Sequence, residues 1–370
     1  MFELDFLEHK GTSKRSLSKE DREFIQIAER GIQYCEDDHY ELSLPLKNET
    51  IELPNNKTAA LRRLSQLKRR FMGRNGQQYY EHYVEFMKKL IESGYAESVP
   101  EIPEADHTSH DQGRKKQNVW YIPHHGVYLP KKPNKIRVVF DCAAEYQNES
   151  LNKHLLQGPD LTNNLTGVLC RFRQEPIAFM CDIEGMFHQV KVKEEYRDLL
   201  RFLWWEDDDL TKEPKDYRMT VHLFGATSSP GCTNFALKST ANDFEGEFGA
   251  SAADFLRNDF YVDDGLKSVP LVDEAVKLIA SVKQMCSRGG FRLHKFVSNS
   301  KEVIRRIPEQ DRADGVKELD LNLDLLPLER ALGVDWCVES DCFRFTKVLQ
   351  DKPCTRRGIL STVSSIFDPL

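Results

Sequence analysis

The stretch NDFYVDDGL, residues 258 to 266, places two adjacent carboxylates, Asp263 and Asp264, directly after an apolar run. The Phe-Tyr-Val before them favours a buried β-strand. Charge is costly there unless a cation meets it. An ordinary alternative also fits, because Asp-Gly between apolar residues is a strong signal for a two-residue hairpin turn with its carboxylate in water. Both interpretations stay open on this stretch alone.

Length and composition predict a folded, intracellular protein. The 370 residues are 40% hydrophobic and 30% charged, which is enough to build a sizeable core in two or three packed units. No apolar run approaches the roughly 18 residues that span a bilayer, and the first residues do not resemble a secretory signal. The nine cysteines include no Cys-x-x-C pair, which favours reduced thiols. We therefore expect a cytoplasmic protein without a membrane partner.

Basic residues are distributed unevenly along the chain. A net charge of −7 argues mildly against a nucleic-acid partner, yet two clusters are strongly basic while acids gather at 206–209. This segregation predicts basic stripes on an acidic body, with a solvated helix face as the alternative for the first cluster. The clusters are Lys57, Arg62, Arg63, Lys68, Arg69, Arg70 and Arg74, then Arg114, Lys115, Lys116, Lys131, Lys132, Lys135 and Arg137.

Periodicity predicts an α+β protein with helices packed on one face of a sheet. A Pro-rich, polar stretch over 99–118 is typical of a linker. Helices are predicted over 19–35, 57–95, from a cap at Ser228 or Ser229 onward and over 271–288. Strands are predicted as a pair over 41–54, a hairpin over 119–143, single strands at 177–183 and 218–224, a pair around NDFYVDDGL, FRLHKFV, and a final hairpin from ERALGVDWCVES to FRFTK.

Asp182 supports a functional interpretation of Asp263 and Asp264, because it also ends an apolar run, IAFMCDI. Small residues, Gly185 and Gly265, follow the two sites and allow close approach. Three carboxylates at the ends of adjacent strands repel each other strongly in a low dielectric, so they require cations. Two divalent ions about 4 Å apart would suit phosphoryl transfer, and the all-oxygen ligands favour Mg²⁺. Cations of the hairpin over 131–137 could then neutralise a nucleoside triphosphate.

Five segments, in this order, resemble the palm motifs of reverse transcriptases, specifically those of BEL/Pao long-terminal-repeat retrotransposons: FMCDIEGMFHQV, VHLFGATSSPGCTNFAL, FYVDDGL, GGFRLHKFVSNS and ALGVDW. KKPNKIRVVFDCA resembles their fingers hairpin, and ILSTVSSIFDPL the start of their thumb. The resemblance covers about residues 20–370. It implies a right-hand polymerase fold with an N-terminal helical extension and linker (1–118), fingers and a ferredoxin-like palm (119–347), and only the start of a thumb (348–370).

The resemblance also implies the site. Asp182, Asp263 and Asp264 match the catalytic metal-binding triad, with the backbone carbonyl of Ile183 as a further ligand, for two Mg²⁺ ions or Mn²⁺ in their place. Phe187 stands where the family has its steric gate, at which an aromatic ring would collide with a ribose 2′-OH. A core Phe on a helical turn is the alternative for Phe187.

Further residues match substrate-contacting positions of the family. Arg137 matches the fingers arginine that contacts the triphosphate, and either Lys131 or Lys132 could be its lysine partner. Lys295 matches the lysine proposed to protonate the leaving pyrophosphate, with an ordinary surface lysine as the alternative. One departure concerns Phe224 and Gly225: Leu-Phe-Gly-Ala stands where retroviral enzymes carry Leu-Pro-Gln-Gly, so the Gln that touches the nucleotide is absent. The implied nucleic-acid contacts are Tyr261 and the primer-grip hairpin at Leu332 and Gly333.

The resemblance implies an RNA-directed DNA polymerase, in which a primer 3′-OH attacks the α-phosphate of a deoxynucleoside triphosphate on an RNA or DNA template. No protease, ribonuclease H, integrase or zinc-knuckle signature is present, so we expect a piece of a pol polyprotein that works beside its other domains, in the cytoplasm or a virus-like particle. An inactive or co-opted remnant that binds nucleic acid is the alternative. An RNA-directed RNA polymerase is disfavoured by Phe187.

Overall fold

The structure is a computed structural model that describes residues 17–48, 51–74, 76–100, 118–129, 132–344 and 353–363. The chain forms two compact units, each assembled from separate segments. The first unit contains Met1–Gln33, Glu41–Asp160 and Lys191–Cys232, and the second contains Tyr34–Tyr40, Leu161–Val190 and Thr233–Leu370. The predicted limits of extension, fingers and palm, and thumb stay a prediction.

Helices and strands alternate along the described chain, which confirms the predicted mixture of the two. The helices are α1 (Lys19–Gly31), α2 (Lys57–Phe71), α3 (Gly76–Glu92), α4 (Leu151–His154), α5 (Leu165–Phe172), α6 (Glu194–Arg197), α7 (Ser229–Phe248), α8 (Ala250–Asn258), α9 (Val272–Arg288), α10 (Lys301–Arg306), α11 (Asp314–Lys317) and α12 (Arg356–Val363). The strands are β1 (Gln33–Tyr34), β2 (Tyr40–Leu42), β3 (Ala96–Ser98), β4 (His124–Leu129), β5 (Lys132–Phe140), β6 (Ile177–Ile183), β7 (Lys191–Val192), β8 (Arg201–Trp205), β9 (Pro214–Met219), β10 (Phe260–Tyr261), β11 (Asp264–Val269), β12 (Leu293–Ser298), β13 (Leu328–Ala331), β14 (Val334–Cys337) and β15 (Cys342–Arg344).

The first unit is built on an aromatic core between α2, α3 and the antiparallel sheet β3–β9–β8. Leu64 and Phe71 of α2 lie on one helical face and are buried. Phe71 contacts Tyr83 of α3, which stacks on Trp204 of β8 with ring centroids 5.4 Å apart. The predicted helical stretch 57–95 breaks into two helices at Gly76, where an added Cβ would lie 2.0 Å from the Phe71 carbonyl oxygen.

The hairpin predicted over 119–143 is confirmed as β4 paired antiparallel with β5. Two other strand predictions in this unit are wrong. The alternation over 41–54 marks an extended segment, because β2 pairs parallel with β7 while Leu42 and Leu44 are buried in the core. The run 218–224 leaves its sheet after Met219, since its partner β8 begins at Arg201, opposite Arg218.

The second unit is centred on an antiparallel sheet with strand order β10–β11–β6–β12. Ala178 and Met180 of β6 pack in a cluster with α5 and the meander β13–β14–β15. Phe179, which points the opposite way, lies 5.7 Å from Phe255 of α8 between ring centroids. Both faces of β6 are therefore covered, which corrects the predicted one-sided packing and explains why IAFMCDI is almost continuously apolar.

Within the described ranges, no helix combines the length and the apolar character needed to cross a membrane.

Candidate active site

Two carboxylates and an imidazole meet at one end of the central sheet of the second unit. Asp182 lies one residue before the end of β6, with Asp264 of β11 directly opposite on one side and His294 of β12 on the other. Directly opposed residues of antiparallel strands have Cα atoms about 4.5–5.5 Å apart and side chains on the same face. The side chains of Asp182, Asp264 and His294 therefore lie on the same face of the sheet, close enough to form one site.

Asp263 lies in a tight turn beside them. Because Tyr261 pairs with Asp264, the two turn residues are Val262 and Asp263. Val262 has φ +58°, a left-handed conformation that is strained for a β-branched side chain. The backbone N–H of Ile183 donates to the Asp263 carbonyl at 2.9 Å, which ties the turn to the end of β6.

The interpretation of Asp-Gly as the turn is wrong, because Asp264 and Gly265 both belong to β11. Gly265 is required by packing. A Cβ added there would lie 2.8 Å from the Phe260 ring, 2.9 Å from the Phe255 ring and 3.0 Å from the Cys181 sulfur. The strand beneath Asp264 therefore packs closely on its apolar neighbours.

Asp182 is held by two basic side chains from β12, His294 and Lys295. His294 Nε2 donates to Asp182 Oδ1 at 2.7 Å, and Lys295 Nζ donates to Oδ2 at 2.9 Å. Consecutive residues of a regular strand point to opposite faces, so two neighbours could not both reach Asp182. A bulge after His294 solves this, because Lys295 adopts φ +51° and its side chain is redirected.

The pKa values of the paired carboxylates diverge. Burial raises the pKa of Asp182, but the hydrogen bonds from His294 and Lys295 outweigh burial and leave it below its ordinary value. Burial, reinforced by the charges of Asp263 and Asp182, raises the pKa of Asp264 to about 7. The ionised form of Asp264 is therefore disfavoured unless a cation is near, and such divergence of pKa values is typical of functional sites.

The ligand atoms suit a hard cation, because carboxylates offer only oxygen. A cation would also stabilise the ionised form of Asp264, which burial and its acidic neighbours disfavour. Yet no group of three His, Cys, Asp or Glu in the described ranges is arranged to hold a metal ion. Both carboxylate oxygens of Asp182 are engaged by His294 and Lys295. A metal ion at Asp182 would therefore share these oxygens with His294 and Lys295 or displace them.

Other predicted residues of this unit lie in turns. Phe187 follows Gly185 in the 3₁₀ turn Met186–Gln189 and is only 7% exposed. Leu332 and Gly333 form the two-residue turn between β13 and β14, with φ of +50° and +91°. Leu332 packs against the core cluster of the unit. The roles predicted for these residues stay predictions.

In the first unit, Arg137 and Phe224 form a cation–π contact. The Arg137 guanidinium of β5 lies 4.6 Å from the centroid of the Phe224 ring, which is 39% exposed. Gly225 has φ +114°, and a Cβ there would lie 2.1 Å from the Phe140 carbonyl oxygen, so this position requires glycine. Asn152 fixes the loop by donating to the Gly225 carbonyl at 2.9 Å and accepting from the Thr227 N–H at 3.0 Å.

Of the two lysines predicted as partners of Arg137, the structure describes the backbone of one. Lys132 begins β5, whereas Lys131 lies outside the described residues, as do Arg114, Lys115 and Lys116 of the second basic cluster. Two residues were missed at the sequence level. His294 reaches Asp182 only through strand register, which the sequence does not display, and Asn152 lies in a short helix without a recognisable pattern.

No family model and no curated protein matches this chain. Among solved structures, the foamy viral protease-reverse transcriptase dRH in complex with double-stranded DNA aligns at 17% identity and a TM-score of 0.41, over 58% of this chain and 30% of that chain. The selenomethionine-labelled Prototype Foamy Virus Protease-Reverse Transcriptase CSH mutant aligns at 19% identity and a TM-score of 0.39, over 57% and 23%. This chain therefore matches less than a third of the length of each foamy viral chain. Neither likeness is strong enough to indicate the function of this chain.

Proposed function

We propose that this protein is an RNA-directed DNA polymerase of the BEL/Pao retrotransposon type, which adds deoxynucleotides to a primer on an RNA or DNA template. The observation that carries the proposal is the register of Asp182 and Asp264 on adjacent strands, with Asp263 in the tight turn between β10 and β11. Three carboxylates in so small a space are expected where divalent cations and phosphate oxygens meet.

The three aspartates and the Ile183 carbonyl would hold two Mg²⁺ ions, or Mn²⁺ in their place. When bound, the ions stabilise charge on the attacking and leaving oxygens of the phosphoryl transfer. His294 and Lys295 keep Asp182 ionised and oriented through hydrogen bonds of 2.7 and 2.9 Å. The ammonium group of Lys295, which lies beside Asp182, would donate a proton to the leaving pyrophosphate.

Further predicted residues would contact the substrate and the nucleic acid. Arg137, with Lys131 or Lys132, would neutralise the triphosphate, and Phe224 and Gly225 would border the nucleotide. Phe187 would exclude ribonucleotides. Tyr261 and the turn at Leu332 and Gly333 would contact the primer and template. From the sequence resemblance alone, we also propose a cytoplasmic location, or one in a virus-like particle, beside other domains of the same polyprotein.

Primer extension tests the proposal. The purified chain, a DNA primer annealed to an RNA template, and deoxynucleoside triphosphates should give extended primer only when Mg²⁺ or Mn²⁺ is present. Asp263→Asn should abolish extension because it removes a carboxylate ligand of the proposed ions, and a wild-type unfolding curve would show that the fold is kept. Asp254→Asn is the matched control, since that carboxylate is 63% exposed on α8 of the same unit. Equal extension by wild type and Asp263→Asn would remove Asp263 from the reaction.

A catalytically inactive module that binds nucleic acid is the second candidate. It is favoured by one observation: hydrogen-bond donors of the protein already contact both carboxylate oxygens of Asp182. In that case His294 and Lys295 would bind Asp182 permanently, in the place where a polymerase would hold a metal ion. This candidate predicts tight binding of the primer–template without extension in either metal, and binding that Asp263→Asn leaves unchanged.

A further inference from the structure

Two cysteines face each other across the hairpin β14–β15. Cys337, the last residue of β14, is the direct register partner of Cys342, the first residue of β15. Register partners have Cα atoms about 4.5–5.5 Å apart, within the range of about 4.4–6.8 Å found in disulfides. Their side chains also lie on the same face of the sheet. The backbone register therefore brings the two cysteines within the Cα separation of a disulfide.

The loop that closes this hairpin is firmly anchored. Asp341, at φ +50°, accepts a hydrogen bond from the buried Trp336 indole at 2.9 Å on its carboxylate. Arg173 also donates to this carboxylate and, at 2.6 Å, to the Asp341 carbonyl. These contacts hold the last loop residue, Asp341, by both its side chain and its backbone carbonyl. As a result, Cys337 and Cys342 are held in register rather than brought together by chance.

Both thiols are accessible, and the surroundings of Cys337 favour reaction. Cys342 is exposed and Cys337 half-buried, whereas Cys181 and Cys286 are fully buried with raised pKa values. Hydrogen bonding to Ser340, with help from the charge of Arg344, holds the pKa of Cys337 below its ordinary value. A lower pKa increases the fraction of thiolate, which is the nucleophile in disulfide exchange.

We propose that Cys337 and Cys342 are a redox modification site, which a small oxidised thiol such as oxidised glutathione converts to an intramolecular disulfide. The Cys337 thiolate attacks one glutathione sulfur and releases the first glutathione thiolate. Cys342, on losing its proton, then attacks the Cys337 sulfur and releases the second. Two protein thiols are oxidised and one glutathione disulfide is reduced to two thiols. Reversible bonds of this kind are compatible with a reducing compartment.

The disulfide would staple one end of the meander β13–β14–β15. The opposite end of β14 begins after the turn at Leu332 and Gly333. Oxidation would therefore restrain the strand that bears the proposed primer contact, and this consequence rests on the proposed function. The modification itself does not, because it depends only on thiol geometry and chemistry.

Peptide mapping tests the proposal. The native protein is treated with oxidised glutathione, alkylated and digested with trypsin, which should release Ala331–Arg344 with both cysteines in one peptide. We expect this peptide to lose two hydrogens, to resist alkylation, and to regain both thiols after reduction. Cys170 and Cys354 are exposed controls without a cysteine partner in register, and should form only glutathione adducts.

Single variants supply the second measurement. Cys342→Ser should trap glutathione on Cys337, because no second thiol displaces it, and Cys337→Ser should leave Cys342 reacting no faster than Cys354. The proposal is overturned if wild-type protein accumulates glutathione adducts on Cys337 and Cys342 without an internal bridge. It is equally overturned if Ala331–Arg344 remains fully alkylated when Cys354 has reacted. Neither outcome depends on polymerase activity, so it leaves the proposed function untouched.

Discussion

Asp264 is an unfavourable residue for the fold in the absence of a cation. It is partly buried, faces Asp182 directly, and its pKa is raised to about 7 by burial and by its acidic neighbours. A side chain that costs stability where it stands is a common feature of functional sites, since selection for chemistry and selection for stability conflict there. This cost can be measured.

Asp264→Asn should stabilise the protein without divalent ions. Replacing the carboxylate by an amide of the same shape removes its repulsion with Asp182 and Asp263. At pH 8 in the presence of a chelator, we expect the free energy of unfolding to rise by about 1–3 kcal/mol, while primer extension is lost. Urea denaturation measures the change. A variant less stable than wild type would show that the carboxylate is a structural anchor.

Phe224 is expected to act as a positioning residue for Arg137. Its ring lies 4.6 Å from the guanidinium and is 39% exposed, so the pair is worth about 0.5–1 kcal/mol, or a two- to five-fold change in binding. Phe224→Leu should raise KM for the triphosphate by about that factor, with little change in kcat, whereas Phe224→Tyr should behave like wild type. An equal fall in kcat for both variants would contradict this role.

At the scale of elements, strand register decides what the sequence could predict. Apolar runs located β6, β11 and α9, because each is long and regular enough to be recognised. The turn was missed because Val262 has to adopt a conformation that its residue type disfavours. The link from His294 to Asp182 was missed because it depends on a bulge in β12, and a one-residue change of register is invisible in composition.

Helix α2 is expected to contact nucleic acid through its exposed face. Arg62 and Arg69 are both exposed and lie seven residues apart, about 10 Å along the helix. No acidic residue interrupts α2. Neutralising both in Arg62→Gln/Arg69→Gln should reduce the slope of log affinity against log salt by about 1.8 for a duplex, or about 1.4 for a single strand.

The matched control for this measurement is Arg22→Gln/Arg30→Gln. These exposed arginines lie on α1, whose surface also carries Glu20, Glu23 and Glu29, so no basic face forms there. The control should retain the wild-type slope. If the α2 variant retained it as well, the face of α2 would be merely solvated.

At the scale of the whole molecule, the two units differ in what they contribute. All three aspartates, with His294 and Lys295, belong to the second unit, whereas Arg137, Phe224 and the basic face of α2 belong to the first. The first unit also buries two histidines, His124 and His222, and burial lowers the pKa of each to about 4. Its stability must therefore depend on pH.

Acidification should destabilise the first unit. The unfolded chain binds a proton at each histidine near pH 6.5, whereas the folded chain resists it until about pH 4, so stability falls as pH drops through that window. Each histidine should account for about 2 kcal/mol between pH 8 and pH 5. His222→Leu should remove one such share in urea denaturation, because no partner of the His222 ring nitrogens lies within the described residues. An unchanged pH dependence would contradict a neutral, buried His222.

The most direct test of the central claim is to count the metal ions that the active complex holds. The protein is mixed with an RNA template, a DNA primer that ends in a dideoxynucleotide, the next matching triphosphate and Mn²⁺, and bound ions are counted by electron paramagnetic resonance. We predict two ions about 4 Å apart per wild-type chain, and their loss in Asp182→Asn and Asp264→Asn but not in Asp254→Asn. Ion binding no greater than that of the nucleic acid and triphosphate alone would contradict a two-metal polymerase site.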